Sequence, residues 1–117
     1  LIVSEKKVKE FSKKQTLGSN RKDTYAYEIS VKNNRDGFAS IDIYDQIPVS
    51  NDNDIEISIN ELTGGQLSTY SGEVKWKMVI PPGEVRKVLI SYTIKYPKGR
   101  KIRRGKYRKI TSARYFY

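Results

Sequence analysis

Hydrophobic and polar residues alternate along most of this chain with a period of two, the spacing of strands that bury one face and wet the other. From Asp23 to Asn33, Tyr25, Tyr27, Ile29 and Val31 fall on one side, and Ala26, Glu28, Ser30 and Lys32 on the other. Val74, Trp76, Met78 and Ile80 alternate with lysines, and after Pro81-Pro82-Gly83-Glu84 the pattern resumes with Val88, Ile90, Tyr92, Ile94 and Tyr96. Pro82 presets φ for the second position of a type II turn and Gly83 tolerates the positive φ of the third. The two runs are therefore expected to form a hairpin at the centre of the fold.

The remaining strands are read the same way. Phe38 to Gln46 places Ala39, Ile41 and Ile43 on one face, and Ile55, Ile57 and Ile59 alternate with Glu56, Ser58 and Asn60. Asn33-Asn34-Arg35-Asp36-Gly37 reads as a hairpin loop with Gly37 in a left-handed position. Pro48, which cannot donate to a ladder, ends or bends its strand. A lysine-rich edge strand is expected around Lys6 to Lys14, and a short strand at Leu67 to Tyr70. Turn signals recur with no amphipathic helix between them. The predicted fold is an all-β, antiparallel, immunoglobulin/fibronectin-III-like β-sandwich of about seven strands, with Tyr27, Ile29, Val31, Ile41, Trp76, Ile90 and Tyr92 in its core. Residues 1–102 make up this sandwich, and 103–117 are a basic C-terminal extension in which Tyr107 to Tyr117 can add a last strand.

Composition removes whole classes of chemistry. A chain of 117 residues suits one domain with a single core. It contains no Cys and no His, which excludes disulfides, thiolate or imidazole metal sites, and nucleophiles or proton shuttles of either type. Leu1 opens the sequence and Met78 is its only methionine, so the domain is expected to be excised from a longer protein. The formal charge of +10 is unevenly placed: residues 98–117 hold nine Lys or Arg and no acid, leaving 14 bases against 13 acids in residues 1–97. The basic end is a local feature of a nearly neutral body.

Four segments form an ordered pattern: YEISVKNNRDG at 27–37, YDQIPVSNDNDIEI at 44–57, VKWKMVIPPGE at 74–84 and ISYTIKYPKGRKI at 90–102. Their order and spacing resemble the C-terminal region of the mucoidy inhibitor A-like family, bacterial proteins of uncharacterised function. The resemblance covers roughly residues 21 to 102. It implies a β-sandwich at the end of a larger protein with a helical or coiled-coil segment upstream, and the family name suggests a role at the bacterial cell envelope. It supplies no catalytic residues. The basic end beyond Ile102 departs from the pattern.

Several residues invite a chemical role, each beside a simpler one. Trp76 can stack on a sugar, or fill the core among Val74, Met78 and Ile80. Asp45, Gln46, Pro48 and Ser50 can form a recognition loop, or Asp45 and Ser50 can satisfy backbone N–H groups around the bend at Pro48. Asn51, Asp52, Asn53, Asp54 and Glu56 offer oxygen ligands to a hard cation such as calcium, but lack the Gly and the bidentate Glu of an EF-hand loop. Asp42, Asp45, Asp52, Asp54 and Glu56 are the carboxylates available for an acid–base pair, though the pattern puts most on wet faces. A row of exposed aromatics for carbohydrate requires Tyr25, Tyr27, Tyr44, Tyr92 and Tyr96 to face solvent, opposite to the faces assigned above. Finally, Lys98, Arg100, Lys101, Arg103, Arg104, Lys106, Arg108 and Lys109, interleaved with Tyr107 and Tyr115, can contact a polyanion or simply solvate the chain.

The expected function is that of a non-catalytic immunoglobulin-like interaction domain of a bacterial envelope-associated protein, with a protein partner and no cofactor, metal or small-molecule substrate. The alternative is a polyanion-binding module, for nucleic acid or an anionic membrane, acting through the basic segment.

Overall fold

The computed structural model describes the backbone of residues 2–9, 15–99 and 108–116 and the side chains of residues 18–99. Where alternation is strongest, the strands are longest. β1 (Ile2–Lys9) and β2 (Gln15–Leu17) precede β3 (Asn20–Lys32), β4 (Phe38–Gln46), β5 (Glu56–Glu61) and β6 (Gln66–Leu67). β7 (Glu73–Ile80), β8 (Val85–Pro97) and β9 (Arg108–Phe116) complete the chain. All pairings are antiparallel, and among the described residues there is no helix.

Two sheets result, one ordered β1-β3-β8-β5 with β2 also on β3, the other β6-β7-β4-β9. Their inner faces meet in one core. Tyr27, Ile29, Val31, Val88, Ile90, Tyr92, Ile94 and Tyr96 come from the first sheet, and Ile41, Ile43, Val74, Trp76 and Ile80 from the second. The fold is thus the all-β antiparallel sandwich expected. Its described residues form nine strands rather than about seven. β9 is the last strand that Tyr107 to Tyr117 could add, β2 is the unexpected one, and the first strand occupies Ile2–Lys9 rather than Lys6 to Lys14, whose residues 10–14 lie outside the described ones.

The expected central hairpin is not one. β7 pairs with β4 and β6, whereas β8 pairs with β3 and β5, so the chain leaves one sheet and enters the other at Pro81–Glu84. The turn itself has the anticipated form: Glu84 N donates to Pro81 O at 3.2 Å, and Gly83 adopts φ of 73°. Its outward-facing groups bind the end of β3 instead of closing a ladder, with Gly83 N donating to Asn33 O at 2.8 Å and Asn33 N to Glu84 O at 2.9 Å. The Asn33–Gly37 segment is a crossing as well, since β3 and β4 lie in different sheets, and Gly37 is not among the positive-φ residues. A local hairpin joins β2 to β3, where Gly18 and Ser19 link Leu17 to its partner Asn20.

Asn33 ties both crossings together. It continues the inward parity of Tyr27, Ile29 and Val31 and is fully buried. Its Nδ2 donates to Gly37 O and to Ile80 O, both at 2.8 Å, while Oδ1 accepts from Arg35 N at 3.0 Å. A buried amide with both donors and its acceptor used costs little to bury and fixes one arrangement of the two sheets.

Candidate functional site

The opposite end of the sandwich carries the loop between β4 and β5, where the candidate recognition residues lie. Asp45 follows Ala39, Ile41 and Ile43 in parity and is buried at 9% exposure, its Oδ1 accepting from Gln46 N at 2.7 Å. Gln46 is exposed and donates from Nε2 to Ser71 O at 3.0 Å, and Ile47 N donates to Gly72 O at 2.9 Å. Beyond the half-buried Pro48, Ser50 Oγ donates to Asp52 O at 3.0 Å and accepts from Asp52 N at 3.1 Å. Asp52 Oδ1 accepts from Asp54 N at 2.9 Å. The side chains of Asp45, Ser50 and Asp52 are thus engaged with nearby backbone, which shapes the loop and leaves Gln46, Val49 and Asn51 exposed.

Of the five candidate carboxylates, only Asp54 and Glu56 share a hollow. Asp42 and Asp45 point to opposite faces of β4, with Asp42 in register with Lys77 on the outer face. Asp54 and Glu56 line a hollow with Asn20, Asn53, Lys95 and Pro97, and Glu56 lines a second hollow beside Lys22 and Lys95. No group of three Asp, Glu, His or Cys capable of holding a metal ion occurs among the described residues. The second hollow is the outer face of the first sheet and includes a polar ladder. Thr24 and Thr93 hydroxyls lie 2.8 Å apart, and Asn60 Nδ2 donates to Thr93 Oγ1 at 2.9 Å. Such a surface can hydrogen-bond a ligand, but it presents no paired acid and base.

Trp76 is buried at 4% exposure, and its Nε1 donates to Leu62 O at 2.6 Å. The indole therefore offers no face for stacking. Tyr27, Tyr92 and Tyr96 are buried, and Tyr25 packs against the core 5.5 Å from the Tyr92 ring. Of the five tyrosines needed for an aromatic row, four thus face inward. Tyr44 is half-buried beneath Lys75, whose Nζ lies 5.5 Å from the ring centre. The core residues named from alternation, Tyr27, Ile29, Val31, Ile41, Trp76, Ile90 and Tyr92, are all buried members of the central cluster.

One buried cluster was not singled out from the sequence. Asp23 sits at the inward parity of β3 at 8% exposure, and Tyr96 Oη donates to its Oδ2 at 2.6 Å, with Tyr25 Oη more distant at 3.4 Å. The Asp23 Oδ1 atom is buried and has no hydrogen-bond partner among the described residues. The hydrogen bond to Asp23 raises the Tyr96 pKa, burial and the Asp23 charge add to the rise, and Arg21 opposes it. Parity was the available signal. Asp23, Asn33 and Asp45 each extend an apolar inward row by one more step, which marks a polar group entering the core.

Of the candidate polyanion contacts, Lys98 is exposed and its backbone N donates to Ser19 O at 2.7 Å. Arg100, Lys101, Arg103, Arg104 and Lys106 lie outside the described residues, as does Tyr107. Arg108 and Lys109 stand on β9, in register with Asp45 and Tyr44 of β4, and Tyr115 is in register with Ala39. Part of the basic segment is therefore a strand of the second sheet.

Comparison with curated proteins finds no match to this chain. Residues 1–98, which carry β1 to β8, match the model of a family described as a domain of unknown function, DUF4139, and the chain belongs to that family.

Proposed function

We propose that this domain is a non-catalytic interaction module of a larger bacterial envelope-associated protein of the mucoidy inhibitor A-like kind. One observation carries the reading: the two sheets close over a continuous apolar interior, while each sheet ends in an outer strand with an uncovered edge. An acid–base enzyme needs converging titratable groups in a cleft, and the carboxylates described above are dispersed. Edges are the alternative resource, because they present unpaired backbone N–H and C=O groups to a partner strand. β5 is the outer strand of the first sheet, and β6 covers β7 only at Val74 and Lys75. Exposed Ile59 on β5 and Val79 on β7 add apolar contact at those edges.

The test places a photo-crosslinking residue at Ser58 on β5, at Val79 on β7 and, as a control, at exposed Asp36 in the crossing loop, within the full-length protein in its own cells. Discrete protein adducts at the edge positions and none at Asp36 are expected. Equal labelling at all three sinks the module.

A second reading, polyanion binding, draws on the nine bases without an acid in residues 98–117. It requires affinity for nucleic acid or anionic vesicles that falls steeply with salt. Binding that stays flat between 50 and 200 mM salt (about a fourfold range) removes it.

A further inference from the structure

The residues matching the family model supply every strand of the first sheet but only β6, β7 and β4 of the second; β9 comes from beyond them. Without β9, β4 would be an edge strand along its whole length. That edge is long and regular, and its inward residues Ala39, Ile41 and Ile43 are at most 1% exposed with β9 in place. A strand of this kind with no neighbour is a template for another strand.

β9 fills the template in antiparallel register from Phe38 opposite Phe116 to Asp45 opposite Arg108. A one-residue slip between Asp42 and Ile43 makes Thr111 the extra residue of a bulge. The two strands are complementary in sign: β4 carries Asp42 and Asp45 and no base, whereas β9 carries Arg108, Lys109 and Arg114 and no acid. Opposite charges on facing strands favour the pair and disfavour a like-charged competitor.

We propose that the edge of β4 is a strand-accepting site whose ligand is an extended, Arg- and Lys-bearing segment, supplied in this chain by its own residues Arg108–Phe116. This rests on the reading of the domain as an interaction module and names its site and ligand class. Tethering gives the resident strand an effective concentration on the order of millimolar, so a competing strand gains access only by displacing it.

The experiment uses the full chain with a site-specific protease sequence inserted between β8 and β9. After cleavage in place, the untethered segment is expected to co-elute with the body and to exchange with a fluorescent synthetic peptide of residues 105–117. Binding of that peptide is expected to saturate. A scrambled peptide of identical composition should bind at least about tenfold more weakly, a difference of roughly 1.4 kcal/mol. N-methylation at alternate peptide positions should abolish binding for one set and spare the intervening set, as only a strand pairing by one edge requires. In the body, Asp45→Asn should weaken the native peptide more than a variant of it in which Arg108 is replaced by Gln.

Three results overturn the proposal. They are failure of the peptide to bind at millimolar concentration, equal binding of the scrambled peptide, and loss of the β-sheet circular dichroism signal when the segment leaves, which would make β9 an integral strand. None of these readouts involves a partner protein. Loss of edge crosslinks in cells with peptide exchange intact therefore counts against the module, and the reverse counts against the strand site.

Discussion

The two ends of the sandwich each bury a polar side chain at the inward parity of β3, and they treat it differently. At the crossing end, Asn33 has its side-chain donors and acceptor and its backbone N–H and C=O all engaged, at 2.8 to 3.0 Å. At the loop end, Asp23 has one short bond from Tyr96 and a buried oxygen with no partner among the described residues. Burial of a satisfied amide specifies an arrangement, whereas burial of a half-satisfied carboxylate costs stability. The crossing end is accordingly the rigid corner of the fold.

The largest effect should come from removing the corner. Asn33→Ala strands the Gly37 and Ile80 carbonyls and the Arg35 N–H, groups whose unmet burial costs about 1 to 3 kcal/mol each. A loss of about 3 kcal/mol or more in urea unfolding is expected, a large share of a total of roughly 5 to 15 kcal/mol. A loss below about 1 kcal/mol would erase the contrast between the ends.

Next is a backbone clamp at the loop end, between Ile47 and Gly72. Gly72 adopts φ of 79°, and a Cβ there would run into the Ile47 carbonyl oxygen. Gly72→Ala should therefore cost about 2 kcal/mol, from left-handed strain of roughly 1 to 2 kcal/mol and displacement of Ile47. Faster hydrogen exchange is expected at the Ile47 amide, which donates to Gly72 O, with Asn33 amide exchange unchanged. Equal acceleration at both amides would show that the ends open as one unit.

These contrasts also explain what could be read in the sequence. Alternation gave the inner faces of β3, β4, β7 and β8 and hence the core. It could not say which sheet a strand joins, because a side chain pointing inward from either sheet obeys the same period. Pro81–Glu84 shows the consequence: its residues dictated a tight turn, and the turn formed, but what binds its backbone is Asn33 at the end of β3, far earlier in the chain. Long-range hydrogen bonding of that kind has no local signature. The candidate loop was legible in part, since Ser50 and Asp52 follow the short-range bonding habits of their types, whereas the Asp23–Tyr96 pair joins residues 73 apart.

That pair supplies a smaller prediction. Tyr96→Phe leaves Asp23 with only the distant Tyr25 hydroxyl among the described residues and should cost about 1 to 2 kcal/mol. Replacing both members, Asp23→Leu with Tyr96→Phe, removes the donor and the poorly satisfied carboxylate together. The double variant should return to within about 1 kcal/mol of the parent, as apolar replacement of a buried pair often does. A double variant as unstable as the sum of its single changes would mean that Asp23 stabilises the loop end through something other than Tyr96.

The smallest effect is the pH dependence of the same bond. Tyr96 has a raised pKa in the folded chain, chiefly because its hydroxyl donates to Asp23. The folded state therefore holds the phenolic proton more tightly than the unfolded chain, where tyrosine titrates at about 10. The stability this contributes is fully present below that unfolded value and is lost as pH rises through the higher folded one. The parent should consequently lose stability more steeply than Tyr96→Phe above about pH 10, and the two should run parallel from about pH 6 to 9. Subtracting one curve from the other cancels the remaining tyrosines, so parallel curves through the alkaline limb would mean that the Tyr96 proton is held no more tightly at the loop end than in the unfolded chain.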